Sequence, residues 1–122
     1  MARVVALIPD LMFGSRVQAL LAGGGHEVTL CAQEDRARAE APGADVLVVD
    51  LSSADIDGAM LVESMRMGAE LGTTRTLGVY AHVDTETRTR AQQAGFDQVV
   101  PRSRMVREGD ALVGRLAAPA GT

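Results

Sequence analysis

The chain has 122 residues, 47% hydrophobic and 23% charged, with a formal net charge of -4 and one cysteine. That is enough for one domain with a real core, and it excludes an internal disulfide. It supplies neither the basic field that a nucleic-acid backbone needs nor an apolar run of the roughly 18 residues that a membrane span needs.

Met1-Ala2-Arg3-Val4 begins too short an apolar stretch for a secretory signal, so the expected setting is the cytoplasm. Residues 4–8 (VVALI) read as a strand buried on both faces, and Phe13, Val17, Leu20 and Leu21 then share one side of a helix that Gly23-Gly24-Gly25 closes. Residues 27–31 form a second strand ending on Cys31, expected as a small buried hydrophobe rather than a redox group. A charged surface helix over 34–40 precedes the third and most apolar strand, 46–49. Leu61, Val62, Met65 and Ala69 mark a helix within 58–72. Met60, Met65 and Met67 cannot all point inward from it, so a partly exposed methionine face is expected there. A fourth strand over 76–81, a polar helix over 86–94, a short fifth strand over 98–100 and a last helix over roughly 108–118 complete the alternation, and residues 119–122 fray.

Five strands alternating with five helices imply a single doubly wound domain over 1–118, a parallel sheet covered on both faces. The expected architecture is the flavodoxin-like (βα)5 three-layer sandwich with strand order 2-1-3-4-5. In such a sheet ligands gather beyond the carboxyl ends of the strands, where Asp50 ends the third strand and Asp10 follows the first. Two carboxylates facing one crevice repel unless a cation lies between them, and a hard ion such as Mg²⁺ takes one or two carboxylates plus waters.

Other features point elsewhere less well. No Gly-Lys-Ser/Thr follows the glycine triplet, so it is no phosphate cradle. Gly14-Ser15-Arg16-Val17 has a passing likeness to Rossmann nucleotide-binding proteins, but Ile8-Pro9-Asp10-Leu11-Met12-Phe13-Gly14 keeps one glycine and puts an acid where a pyrophosphate would need room. His26 and His82 have no second ligand at metal spacing, and both are expected as exposed loop residues.

From Asp50 onward the segment Asp50-Leu51-Ser52-Ser53-Ala54-Asp55-Ile56-Asp57-Gly58 resembles the phosphoacceptor loop of response-regulator receiver domains, with the Asp57-Gly58 pair in register. Tyr80-Ala81-His82 resembles the family's Thr-Ala-His, Ala94-Gly95-Phe96-Asp97 its Ala-Gly-Ala-Asp turn, and Arg102 falls where the family carries a lysine. The likeness runs from about Arg3 to Leu116. It implies a domain that takes a phosphoryl group from a histidine kinase onto its own aspartate with Mg²⁺, here Asp50. It also implies a phosphate site at Tyr80, Ala81 and Arg102 and a metal site at Asp10, Asp50 and Ser52.

Several positions depart from that pattern. Pro9 stands where the first metal-binding acid should be, which weakens or removes the Mg²⁺ site. Tyr80 replaces a small hydroxyl residue and is expected to crowd the crevice, and Val99 replaces a switch aromatic. Arg102 trades a compact ammonium for a planar fork that could instead pair permanently with Asp50 or Asp10. The reading is a degenerate receiver, not an enzyme and with no cofactor beyond possible Mg²⁺, that acts by contact with a signalling partner or a second copy. By resemblance that contact uses the face of the fourth helix, fifth strand and last helix, with Arg88, Arg104 and Arg107 as interface candidates. The alternatives are a phosphoaccepting single-domain regulator, an inherited acid without chemistry, and a nucleotide-binding protein. Neither nucleic acid nor membrane is an expected partner.

Overall fold

In the computed structural model, residues 1–81 and 85–118 are described; the expectations placed on His82 and on the tail at 119–122 lie outside them. The elements are β1 (Arg3–Leu7), α1 (Leu11–Gly23), β2 (Glu27–Cys31), α2 (Glu34–Glu40), β3 (Val46–Asp50), α3 (Gly58–Met67), β4 (Arg75–Tyr80), α4 (Thr85–Ala94), β5 (Gln98–Pro101) and α5 (Arg102–Ala117). All strand pairs are parallel, in the order β2-β1-β3-β4-β5. This is the architecture that the alternation implied.

The central strands lack a polar face because helices cover both sides of the sheet. Every residue of β3 is buried, whereas the edge strands β2 and β5 are only partly so. Alternation along β3 sends Leu47 and Val49 to one core, packed with α2, α3 and α4 through Ala37, Val62, Met65 and Ala91. Val46 and Val48 go to the other, against Phe13, Val17 and Leu21 of α1 and Met105, Leu112 and Val113 of α5. No helix among the described residues is long and apolar enough to cross a membrane.

Three expectations are corrected here. The last helix begins at Arg102, six residues earlier than 108, because Met105 and Gly109 extend its buried stripe beneath the arginines. Gly109 also allows close approach, since a Cβ there would lie 3.1 Å from Leu20 of α1. The third helix ends at Met67, and Ala69 is not on its buried face: it is exposed with φ 55°, and the chain turns so that Leu71 re-enters the core. His26 is buried, not exposed; its ring fills the junction between the starts of β1 and β2 and the side of α5. The methionine expectation is met, with Met65 fully buried and Met60 and Met67 exposed, and Cys31 is buried as expected.

Candidate functional site

Asp50 is the last residue of β3, and its side chain is 0% exposed. A carboxylate so placed needs partners for both oxygens, or desolvation would favour its neutral form. Both are engaged. Oδ1 accepts the Ser52 backbone N–H at 3.0 Å, and Oδ2 accepts from an Arg102 guanidinium nitrogen at 2.8 Å.

Asp10 reaches the same guanidinium by a different route. It is the N-cap of α1, its Oδ1 accepting the Phe13 N–H at 3.1 Å, which satisfies one of the donors that a helix start leaves free. Its Oδ2 lies 3.4 Å from the other terminal nitrogen of Arg102. The cap bond to Phe13 and, secondarily, the Arg102 charge hold the Asp10 carboxyl below its usual range. Arg102 therefore bridges the ends of β1 and β3 from the first turn of α5. Its planar group lies over the Phe13 ring, 4.3 Å from the centroid, a stacking that a lysine could not reproduce. The Arg102 Nε is buried without a hydrogen-bond partner among the described residues, and the fork is used there through its two outer nitrogens.

The neighbouring strand end is tied by Ser52. Leu51 N–H donates to the Val79 carbonyl at 2.7 Å, and the Ala81 N–H donates to Ser52 Oγ at 2.6 Å. Ser52 thus links the loop after β3 to the end of β4, and the Ala81 amide is committed within the chain.

Asp50 is level with Val79, which packs on the α1–α5 side, and Tyr80 follows it as the last residue of β4. The ring beside the guanidinium is that of Phe13. Val99 packs against the core on the α3–α4 side.

Asp57 and Gly58, the pair that matched the acceptor-loop pattern, serve the start of α3. Asp57 caps it through Met60 N–H at 3.0 Å and receives Arg90 at 2.8 Å, and these bonds, the Arg90 contact first, lower its pKa. An open cleft of about 530 Å³ lies beside this loop, lined among others by Glu34, Ser53, Asp55, Asp57, Thr87 and Arg90.

Sequence reasoning thus placed Asp10, Asp50 and Arg102 together correctly. It missed Phe13, read only as core, and the capping role of Asp10, although an acid three residues before Phe13 at a helix start is itself a capping signal. The interface candidates are less basic than their count suggests. Arg104 and Arg107 both approach Glu108, at 3.1 and 3.6 Å, and Arg90 turns away to Asp57, while Arg88 is exposed.

Chemically, the site is a buried carboxylate neutralised by a guanidinium. The two carboxylates share Arg102 as their cation, which lessens what a Mg²⁺ ion would gain between Asp10 and Asp50, and Pro9 offers no further acid beside them.

No family model matches the chain, and no curated protein matches it at a significant level. Solved structures do. The receiver domain of Francisella response regulator 1452 is 18% identical with a TM-score of 0.83, the match covering 96% of this chain and 97% of that one. Vibrio cholerae chemotaxis protein CheY4 is 21% identical with a TM-score of 0.83, covering 95% and 98%. A LuxR-family DNA-binding response regulator from Staphylococcus aureus is 13% identical with a TM-score of 0.83, covering 97% and 100%. At such identities the likeness is one of fold, and the chain has the receiver fold along almost all of its described length.

Proposed function

We propose that this chain is a receiver-like signalling domain of the cytoplasm, spanning 1–118, that works through protein contact with phosphoryl transfer to Asp50 weakened or lost. The observation that supports this reading is the double engagement of Asp50 by Ser52 and Arg102. A carboxylate nucleophile must present a lone pair to phosphorus while cations neutralise the charge on the transferring group. Here one Asp50 oxygen accepts from Arg102 and the other from the Ser52 amide, and that cation is already shared with Asp10.

The test is NMR of the wild-type protein with beryllofluoride and Mg²⁺, which together mimic a bound phosphoryl group. The reading predicts no saturable shifts at Asp50, Ser52, Ala81 or Arg102. Saturable shifts there would support the alternative of a phosphoaccepting regulator, for which the proximity of Asp10 to Asp50 speaks.

The contact face in this reading is α4, β5 and α5, and the occupant is a signalling partner or a second copy. Arg88, unlike Arg90 and Arg104, makes no ion pair among the described residues and is exposed. Joint reversal, Arg88→Glu with Arg104→Glu, is expected to abolish self-association measured by sedimentation velocity in low salt, where surface charge is least screened. An unchanged sedimentation profile, or a wild type that is monomeric throughout, rules out the second copy on this face.

A further inference from the structure

His26 lies at the opposite edge of the sheet from Asp50, and the role proposed above does not use it. It is 9% exposed, and both ring nitrogens are bonded. Nδ1 lies 3.0 Å from the Ala2 backbone nitrogen, and Nε2 lies 2.7 Å from Asp110 Oδ1 on α5. A backbone N–H can only donate, so Nδ1 must be the acceptor and Nε2 must carry the hydrogen. The neutral Nε2–H form is therefore the one that satisfies both contacts.

The surroundings fix this arrangement. The His26 backbone N–H donates to the Leu21 carbonyl at 3.1 Å and Glu27 N–H to the Ala2 carbonyl at 2.9 Å. Gly24 passes so close to the Asp110 carboxylate that a Cβ there would overlap it, which holds the acid against the ring. Among charged groups on the neighbouring elements, α5 presents Asp110, while Arg107 one turn earlier is directed to Glu108. Residues 21–25 of the α1–β2 turn carry no charge, and the charged neighbours in sequence, Arg3 and the Met1 terminus beside Ala2 and Glu27 beside His26, are exposed residues.

We propose that His26 is a proton-sensitive pin joining α5 to the first rung of the β1–β2 pair. Histidine is the side chain suited to change charge between pH 5 and 8. A proton added at Nδ1 sets N–H against the Ala2 N–H, so this bond breaks. The contact with Asp110 becomes charge-assisted and is retained. Acidification thus releases the start of β1 while keeping the ring on α5.

The test is a ¹⁵N NMR titration of the wild-type chain from pH 8 to pH 5. It follows the two ring nitrogens of His26 and the hydrogen-exchange protection factor of the Ala2 amide. The expected result is the Nε2–H tautomer at pH 8 and a fall of about fivefold in Ala2 protection as the ring protonates, the size that loss of one ordinary hydrogen bond produces. His26→Gln should show no such step. The proposal is overturned by the Nδ1–H tautomer at pH 8, by a ring that stays neutral down to pH 5, by Ala2 protection that is constant through ring protonation, or by the same step in His26→Gln. None of these outcomes bears on the Asp50 site.

Discussion

Arg102→Ala is expected to destabilise the protein by about 3–5 kcal/mol, because it leaves the Asp50 carboxylate buried with no cation. Only the Ser52 amide would remain to it, at an atom set with no exposure to water. Loss of the contacts with Phe13 and Asp10 adds to the effect, since Arg102 ties α5 to the ends of both β1 and β3. For a chain of this size that corresponds to a fall in Tm of roughly 10–20 °C. A second variant separates the charge from the packing. Asp50→Asn with Arg102→Met removes both charges together, and buried ion pairs replaced in this way are often neutral in stability, so the double variant should melt closer to wild type than Arg102→Ala alone. Thermal unfolding by circular dichroism decides the matter, and a Tm for Arg102→Ala within two or three degrees of wild type would contradict the role given to the pair.

The second large effect is at Gly58, the first residue of α3. Its missing side chain is where a Cβ would overlap Val49 Cγ1 of β3, with Leu51 also near. Val49 is fully buried and β-branched, with little freedom to turn aside. Gly58→Ala should therefore cost about 1–3 kcal/mol through overpacking, in spite of alanine's better helix propensity. Gly114, on the exposed side of α5 with open space where a Cβ would project, is the control. Gly114→Ala should stabilise by about 0.5–1 kcal/mol. Urea unfolding of the two variants should move the midpoints in opposite directions; a midpoint for Gly58→Ala equal to or above wild type would show that α3 is not seated as closely on β3 as described.

The parts of this molecule that could be read from its sequence are those fixed by periodicity and order. VVALI and VLVV, short and β-branched, read as strands covered on both faces, and once five such strands alternate with helices the sheet order brings Asp10 and Asp50 to one edge. The parts that could not be read depend on parity and reach. Which residue of β4 stands level with Asp50 turns on a register of one residue between β3 and β4, which the sequence does not mark. The joining of Arg102 to carboxylates 52 and 92 positions away depends on where α5 starts, and the cluster of arginines hid that start because charge on an outer helical face looks like a loop. His26 was misjudged for a related reason: a histidine after three glycines has the local signature of a turn, and only the distant Ala2 and Asp110 make it a buried one. Ala69, in turn, kept the helical period of Leu61, Val62 and Met65 but fell beyond the Gly68 cap.

The departures from the receiver pattern have a common physical sense. Pro9 removes an acid, Arg102 brings a bidentate cation, and Phe13 gives that cation a flat surface to lie on, so the charge of Asp10 and Asp50 is balanced within the chain. A site balanced in this way has less to gain from an external ion than one in which carboxylates face each other alone.

The central proposal is that Arg102 engages Asp50 at the expense of phosphoryl transfer, and intact-mass measurement after incubation of the wild-type protein with acetyl phosphate and Mg²⁺ tests it most directly. The account predicts a mass unchanged for most of the protein, with at most a minor, slowly formed phosphorylated fraction. Rapid conversion of most of the population to a species carrying one added phosphoryl group, absent when Asp50 is replaced by asparagine, would contradict it.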